Sequence, residues 1–437
     1  MIMQLKKWLA LAGVILGSGV FCAQAQPLAT HVVLITVDGS RPDFYLDSSW
    51  HADNIRALMA GGAYAKGVNS VFPSMTYPSH TTIVTGVQPS KHGIYYNTGP
   101  GEKVYWNDSS IKVPTVWGAA RAKGMTVASL FWPVSADAPV DYDIPDIGSL
   151  GEKVREQYSK PAGFVDEVRA KVFDGVSHIE YGRDVNVARI AAYVIAKARP
   201  NLMTIHLFSV DHNEHMQGRD GDQVRAAVRG ADSAVGIIVE AVRSAGIGDS
   251  TVIIVTGDHG FLDVKVNVNP NVWLAQAGLI TDLKQDQWKA QFYSVGGSSY
   301  LYLKDRKDKE TLRRVQKILE DQPDSIKRLI RVISRKEMDR IGGNPEVEFA
   351  LSGLNGASFG NGVTGDVIRP GHGGQHGYFP DFFEIRTGYV AYGPGIRKGG
   401  VIQEMDQRDQ AAIIARLLGL DFPSADGKVP KGLLISQ

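Results

Sequence analysis

Cysteine is almost absent from this chain. Its 437 residues contain a single cysteine, Cys22, which lies in an N-terminal segment that we expect to be removed. A chain cut after Ala25 would hold no cysteine, which excludes disulfide bonds as a source of stability. A protein of this length must then rely on its hydrophobic core and on any ions that it binds.

An excess of either charge is also missing. The 47 lysines and arginines are matched by 46 aspartates and glutamates, so the formal net charge is +1. A near-neutral chain gives no electrostatic case for binding nucleic acid or an anionic membrane surface. The hydrophobic content of 43% and charged content of 21% are ordinary for a folded protein.

Long apolar runs are confined to the N-terminus. Lys6 and Lys7 precede an apolar stretch from Trp8 to Phe21, and Ala23-Gln-Ala25 follows as a small-x-small cleavage site. We predict a signal peptide at residues 1–25, with an uncleaved membrane anchor as the alternative. No later run approaches the roughly 20 residues needed to span a bilayer. The sequence therefore predicts a periplasmic or secreted protein with no membrane span after cleavage.

Strand-like and helix-like stretches alternate along the remaining chain. This alternation predicts an α/β fold with a mostly parallel central sheet and helices on both faces. The pattern weakens after Gly260 and resumes at 387–392. We therefore predict one domain over residues 26–437, with a smaller insertion or cap at about 265–370.

Three apolar runs, at 31–37, 202–210 and 251–256, have the composition of buried strands and end in acidic residues. Asp38 follows the first run, Asp211 the second, and the pair Asp258-His259 comes just after the third. The carboxyl ends of parallel strands meet at one edge of a sheet, so these side chains are expected to lie close together.

Histidines accompany these aspartates. His215 follows Asp211 at the spacing of one helical turn, so both side chains can point the same way. His376 lies in a glycine-flanked loop, where it is preferred over His372. Three aspartates, three histidines and one hydroxyl would divide into two sites with oxygen and nitrogen ligands, a composition suited to Zn²⁺.

The hydroxyl in question belongs to Thr76, in the proline-bounded turn Pro73-Ser-Met-Thr-Tyr-Pro78. A helix is predicted to follow from Ser79 to Thr85, with Pro78 tolerated in its first turn. A threonine hydroxyl needs a base or a metal to become a nucleophile. The alternative is that Thr76 only caps the helix.

In combination these motifs resemble the nucleotide pyrophosphatase/phosphodiesterase family of the alkaline phosphatase superfamily. The matching pieces run in the family's order over residues 31–400: Val37-Asp-Gly39, Phe72-Pro-Ser-Met-Thr-Tyr-Pro-Ser-His80, Thr85-Gly-Val-Gln-Pro-Ser-Lys-His-Gly-Ile94, Asn97, Phe131-Trp-Pro133, Asp211-His-Asn-Glu-His215, Gly257-Asp-His-Gly260, His376-Gly-Tyr378 and Gly393-Pro394. The resemblance implies an alkaline-phosphatase-like fold and a metal-dependent phosphodiesterase.

The resemblance also implies a role for each site residue. Thr76 would be the nucleophile that becomes a phospho-threonine, and Asn97 would hydrogen-bond a phosphoryl oxygen. Two zinc ions per chain are implied: one ion held by Asp38, Asp258, His259 and Thr76, and the other by Asp211, His215 and His376. Tyr77 would stack on the leaving group, although ordinary packing explains it nearly as well.

Some features depart from the family pattern or leave alternatives open. Glu214 stands where the family often has glycine, which leaves nucleotide preference open. No arginine stands near the nucleophile turn to clamp a monoester dianion, which favours a diester substrate. A phosphonate hydrolase, a phosphomonoesterase or an inactive metal-stabilised binding protein remain the alternatives. The expected partner is a small-molecule phosphate ester, and the oligomeric state is open.

Other histidines are assigned structural roles. His80 and His92 are expected to hold the nucleophile turn by hydrogen bonds. His206 lies within a predicted strand, where packing is favoured over metal ligation.

Overall fold

A computed structural model describes residues 26–435 of the chain. The predicted signal peptide at 1–25 lies outside the described residues. Within residues 26–435, no helix has the length and apolar character needed to span a membrane.

The centre of the molecule is a nine-stranded sheet. Eight of its strands follow in this order across the sheet: Gly400–Ile402, Ala63–Asn69, Thr387–Tyr392, Thr251–Thr256, His31–Val37, Leu202–Leu207, Val127–Leu130 and Tyr142–Ile144. The ninth, Met405–Asp406, also pairs with Ala63–Asn69. Only Thr387–Tyr392 runs antiparallel to its neighbours, so the predicted mostly parallel sheet is confirmed.

The two faces of the sheet bury separate hydrophobic clusters. Along the strand His31–Val37, Val33 and Ile35 face one cluster while Val32 and Leu34 face the other. Successive side chains in a strand point to opposite faces, so an unbroken apolar run is what a strand covered on both sides requires. The predicted helices on both faces are thereby confirmed.

The helices that cover the sheet are amphipathic segments between the strands. The helices of seven or more residues outside 266–370 are Asp53–Gly61, Thr76–Thr85, Val116–Ala122, Glu152–Tyr158, Phe164–Val172, Asp184–Ala198, Ser209–Gln217, Asp222–Ser244 and Asp409–Leu418, while Pro270–Gln276 and Lys309–Glu320 belong to the 266–370 region. The longest, Asp222–Ser244, packs along Asp184–Ala198 on one face.

Two predicted boundaries near the site are wrong. The strand predicted over 202–210 ends at Leu207, and a helix begins at Ser209. Val210 is therefore buried by helix packing and not by the sheet. The helix of the proline-bounded turn at 73–78 begins at Thr76, three residues before the predicted start, because Pro78 fits within a first turn that needs no N–H donor there.

Residues 266–370 contain smaller sheets and a hydrophobic cluster of their own. The largest sheet is antiparallel and has the order Ala290–Val295, Ser298–Leu303, Ala350–Gly353 and Ile330–Ile333. The assignment of this stretch as an insertion or cap stays a prediction.

Candidate active site

The carboxyl-terminal edge of the central sheet gathers the aspartates and histidines singled out in the sequence. Asp38 and Asp258 follow adjacent parallel strands, while Asp211 and His215 lie one turn apart on the helix Ser209–Gln217. His376 arrives from a distant part of the chain, just after the short strand Gly374–Gln375.

One cluster surrounds the ring of His259. Its Nε2 lies 3.3 Å from Asp38 Oδ1, 3.2 Å from Asp258 Oδ2 and 3.4 Å from Thr76 Oγ1. Asp258 is oriented through its other oxygen, Oδ1, which accepts hydrogen bonds from the backbone N–H groups of Gly39 and His259. All four side chains are buried.

A second cluster adjoins the first. Asp211 Oδ1 lies 3.4 Å from His215 Nε2 and 3.7 Å from His376 Nε2. The ring of His376 stacks on that of His259, with centroids 3.8 Å apart. His259 thus lies at the junction of the two clusters, and its donor atoms group with either of them.

The histidines of the second cluster are held in one orientation by the backbone. His215 Nδ1 is 3.2 Å from the carbonyl oxygen of Gly374, and His376 Nδ1 is 3.2 Å from that of Ser74. A ring that donates its Nδ1–H to a carbonyl presents Nε2 with a free lone pair. That is the tautomer in which histidine binds a metal.

Burial and mutual repulsion oppose the ionisation of these groups in the absence of a cation. Burial, together with the charge of Asp211, raises the pKa of Asp38, and burial with the charge of Asp38 raises that of Asp258. Burial lowers the pKa of His376 to about 4, so this ring is neutral near pH 7. For Asp211, burial acts in the raising direction, but the combined interactions with His215, His376 and His206 lower the pKa.

These features fit divalent metal ions. Among the described residues, Asp38 Oδ1, Asp211 Oδ1 and Asp258 Oδ2 are buried without a hydrogen-bond partner, although buried polar atoms are nearly always paired. The spacing of 3.2–3.4 Å between donor atoms of the first cluster is close to the edge of about 3.3 Å in a tetrahedron with 2.0 Å ligand bonds. Mixed carboxylate and imidazole donors suit zinc.

Thr76 is the first residue of the helix Thr76–Thr85, and its side chain is 8% exposed. This position places its hydroxyl at the positive end of the helix dipole, which favours a nearby anion. His80, one turn later, lies with Nδ1 2.8 Å from the carbonyl oxygen of Thr76 and Nε2 2.8 Å from Thr36 Oγ1. The predicted role of His80 in holding this turn is confirmed.

Asn97 and Tyr77 flank Thr76. Asn97 Oδ1 accepts a hydrogen bond of 2.9 Å from the backbone N–H of Tyr77, which fixes the amide beside Thr76. The Tyr77 hydroxyl donates to the carbonyl oxygen of Asp146 at 3.1 Å, and its half-buried ring packs against a cluster formed by Ile94, Tyr105 and Val134. The ring is therefore held in place, and its predicted stacking role stays a prediction.

His206 has a closer connection with the site than the sequence indicated. Its Nε2 is 3.0 Å from Asp38 Oδ2 and its Nδ1 is 3.0 Å from the carbonyl oxygen of Phe131. It therefore orients a candidate metal ligand instead of only packing in the sheet. An imidazole near the end of a fully buried strand was the signal that pointed to it.

The loop that carries Asn97 is fastened to the sheet of residues 290–353. The Tyr293 hydroxyl donates to the carbonyl oxygen of Thr98, and the hydroxyls of Tyr96 and Tyr302 are 3.0 Å apart. Asn344 Nδ2 donates to both of these hydroxyls, at 3.2 and 2.9 Å. The orientation of Asn97 thus depends on contacts with a distant part of the chain.

Comparison with known proteins bears on this site. A family model described as type I phosphodiesterase / nucleotide pyrophosphatase matches residues 32–344. The chain is 22% identical over 416 residues to venom phosphodiesterase CdcPDE of Crotalus durissus collilineatus, covering 91% of this chain but 45% of that protein. It is also 22% identical over 419 residues to ectonucleotide pyrophosphatase/phosphodiesterase family member 7 of Homo sapiens, covering 92% of this chain and 83% of that protein.

Solved structures share the fold. Murine ectonucleotide pyrophosphatase/phosphodiesterase 5 aligns with a TM-score of 0.68 and 20% identity, covering 91% of this chain and 97% of that one. A structure of an inactive variant of the murine protein in complex with AMP aligns with the same TM-score. The expected alkaline-phosphatase-like α/β fold is confirmed by this agreement.

Proposed function

Because this chain belongs to the type I phosphodiesterase/nucleotide pyrophosphatase family, we propose that it hydrolyses phosphodiester or phosphoanhydride bonds through a covalent phospho-threonine at Thr76. The observation that carries the proposal is the position of Thr76 Oγ1, 3.4 Å from His259 Nε2 at the junction of two ligand clusters.

In this proposal the site holds two zinc ions. Asp38, Asp258 and His259 hold one together with Thr76, and Asp211, His215 and His376 hold the other. When bound, the ions lower the pKa of a coordinated hydroxyl and neutralise negative charge on the phosphoryl oxygens.

The protein residues perform the following steps. Thr76 Oγ1 bonds to phosphorus as the P–O bond to the leaving alcohol or nucleotide breaks, and the proton that Thr76 loses reaches the leaving oxygen through solvent. A water molecule then attacks the phosphorus, the Oγ1–P bond breaks, and a proton of that water returns to Thr76. Asn97, held by the N–H of Tyr77 through Oδ1, keeps its Nδ2 amino group available to donate to a phosphoryl oxygen.

The surroundings of the nucleophile favour a diester over a monoester. In the part of the chain that the structure describes, no arginine or lysine hydrogen-bonds Thr76, Tyr77 or Asn97. A monoester dianion carries one more charge than a diester and is normally bound by such a cation. A diester monoanion needs no such group.

The substrate in this proposal is a small molecule such as a nucleotide, and the chain acts in the periplasm or outside the cell. The AMP complex of the structurally similar murine protein supports a nucleotide as the substrate. The venom phosphodiesterases that this chain is similar to support the export of the protein.

The test is to assay purified protein on bis-p-nitrophenyl phosphate before and after metal removal by a chelator, with zinc added back. Turnover should vanish with the metal and return with zinc. Activity that survives complete metal removal contradicts the mechanism. A parallel rate comparison on p-nitrophenyl phosphate and a phosphonate should show the diester as the preferred substrate.

A further inference from the structure

A buried ion pair lies directly beneath the candidate metal ligands. Arg41 Nη1 donates to Glu214 Oε1, and these residues are 2% and 0% exposed. The guanidinium of Arg41 also lies 4.6 Å from the ring centroid of Phe44 and 5.3 Å from that of Trp50. The head group is thus fixed by contacts on several sides.

The pair joins two segments that carry ligands. Arg41 follows Asp38 by three residues, and Glu214 lies between Asp211 and His215 on the helix Ser209–Gln217. The contact is tight at the intervening turn, because a Cβ on Gly39 would lie 2.6 Å from Glu214 Oε2. Gly39 also has a φ of +75°, so both its conformation and its surroundings require glycine.

Arg219 extends the connection to the third ligand segment. Arg41 donates through Nη1 and Nη2 to the carbonyl oxygen of Arg219, both at 3.1 Å. Arg219 Nη1 in turn donates to the carbonyl oxygen of Phe261, two residues after His259, and to that of Glu384 at 3.1 Å. The network therefore reaches the segments of Asp38, of Asp211 and His215, and of Asp258 and His259.

A buried ion pair is a weak device for stabilising a fold, because desolvation of both charges offsets their attraction. It is, however, directional, and it holds two segments at a fixed separation. Here the two segments carry the carboxylates of Asp38 and Asp211, and the Oδ1 atom of each is buried without a hydrogen-bond partner. Without the contact between Arg41 and Glu214, repulsion between these carboxylates would favour separation of the two segments until a cation is bound.

We propose that Arg41 and Glu214 are positioning residues that set the separation between the two metal-ligand clusters, with Arg219 carrying the constraint to the third segment. This role rests on the proposed two-metal site.

The direct test is zinc affinity, measured by competition with a chromogenic chelator on the purified protein. Glu214→Gln keeps the shape and an oxygen that can accept from Arg41, but it replaces the carboxyl group with an amide. We expect its zinc affinity to fall by roughly 10–100-fold, the usual effect of losing a residue that orients ligands. The kcat on bis-p-nitrophenyl phosphate should fall with it, while KM changes little.

Two further variants separate positioning from folding. Arg41→Met combined with Glu214→Leu leaves no buried charge unpaired, so this double variant should fold, yet it should bind zinc as weakly as Glu214→Gln. Asp232→Asn is the matched control. Asp232 is a buried carboxylate on the helix Asp222–Ser244 that accepts hydrogen bonds from Asn54 and Ile55, away from the ligand segments. Its variant should lower the Tm without changing zinc affinity.

If Glu214→Gln and the double variant both bind zinc as tightly as the parent protein, the proposal is wrong. A loss of affinity in Asp232→Asn equal to that in Glu214→Gln would also overturn it, since the effect would then follow from general destabilisation. Zinc affinity is measured directly, so the role of Arg41 and Glu214 is tested whether or not diester hydrolysis is found.

Discussion

The placement of Thr76 depends on its own backbone. Met75 before it is extended, and Thr76 is the first helical residue. The side chain therefore projects from the helix N-terminus toward His259, where Oγ1 is 3.4 Å from Nε2. A hydroxyl that only capped the helix would accept a hydrogen bond from the backbone N–H two or three residues later. No such bond forms in the described residues, and Met75 supplies no side-chain cap either.

Replacing Thr76 by alanine removes the proposed nucleophile. We expect kcat on a diester to fall by roughly 10⁴-fold or more, in the range found when other enzymes lose a nucleophile. The measurement is steady-state turnover with zinc content determined in parallel. Thr76→Ser, which keeps a hydroxyl, should retain far more activity. Comparable turnover in Thr76→Ala and the parent would exclude the phospho-threonine.

Asn97 is expected to contribute to kcat through a single hydrogen-bond donor, its Nδ2 amino group. Asn97→Ala removes the group proposed to bind a phosphoryl oxygen, and we expect kcat to fall by about 10²–10³-fold. Asn186→Ala, on the exposed side of the helix Asp184–Ala198, is the matched control and should leave kcat unchanged. An unchanged kcat in Asn97→Ala would assign the phosphoryl contact to another group.

At the scale of elements, His92 links the helix Thr76–Thr85 to the short helix Pro89–His92 that follows it. Its Nδ1 accepts a hydrogen bond from the N–H of Ile94, so its Nε2–H is the group that faces Thr82 Oγ1, at 3.1 Å. The ring is buried and neutral, and burial lowers its pKa from 6.5 to about 3. As the sequence predicted, His92 serves the local structure by hydrogen bonding.

This lowered pKa predicts a pH dependence of stability. Between pH 6.5 and about 3, the unfolded chain binds a proton at His92 that the folded chain does not. The contribution is complete above pH 6.5 and is lost as the pH falls, with a slope of up to about 1.4 kcal/mol per pH unit for one proton. Urea unfolding of metal-free protein from pH 7.5 to 4.5 measures it. His92→Gln should show a shallower slope, and an identical slope would contradict the assignment.

The hydrogen bonds between the loop that carries Asn97 and the sheet of residues 290–353 form a second contact between elements. Asn344→Ala would remove the donor that the hydroxyls of Tyr96 and Tyr302 share, and only the hydrogen bond between the two hydroxyls would remain. Loss of such hydrogen bonds costs about 0.5–1.5 kcal/mol each. We expect the free energy of unfolding to fall by that amount for each bond lost and kcat to fall as Asn97 loosens. Chemical denaturation measures the stability, and turnover measures kcat. A loss of stability with unchanged kcat would show that these hydrogen bonds do not position Asn97.

At the scale of the whole molecule, the site is where the central sheet meets several distant segments. The candidate metal ligands come from positions as far apart in the chain as Asp38 and His376. The strand Thr387–Tyr392 lies between Ala63–Asn69 and Thr251–Thr256. Three buried carboxylate oxygens without hydrogen-bond partners converge there. The fold therefore holds these carboxylates close together although their negative charges repel one another.

This arrangement predicts that metal binding stabilises the entire fold. An ion that binds only the folded state adds about 2.7 kcal/mol at a free concentration of 100 times Kd. Differential scanning calorimetry should show a Tm that drops after chelation and rises with zinc concentration. The same scan on an Asp258→Asn variant should show a much smaller response to zinc. A Tm that is indifferent to zinc in the parent would contradict the metal site.

Local sequence determined much of the framework. The apolar runs before Asp38 and Asp258 predicted buried parallel strands, because only a strand covered on both faces is apolar at every position. The four-residue spacing of Asp211 and His215 placed them on one side of a helix, because helical geometry is set by hydrogen bonds within the segment.

Tertiary structure alone decided the rest. The antiparallel direction of Thr387–Tyr392, the junction position of His259, the bond from His206 to Asp38 and the pairing of Arg41 with Glu214 join residues far apart in the chain. Such contacts depend on how strands are ordered and how loops close, and no local periodicity encodes that order. The types of residue at the site followed from the sequence, whereas their neighbours followed from the packing of the whole chain.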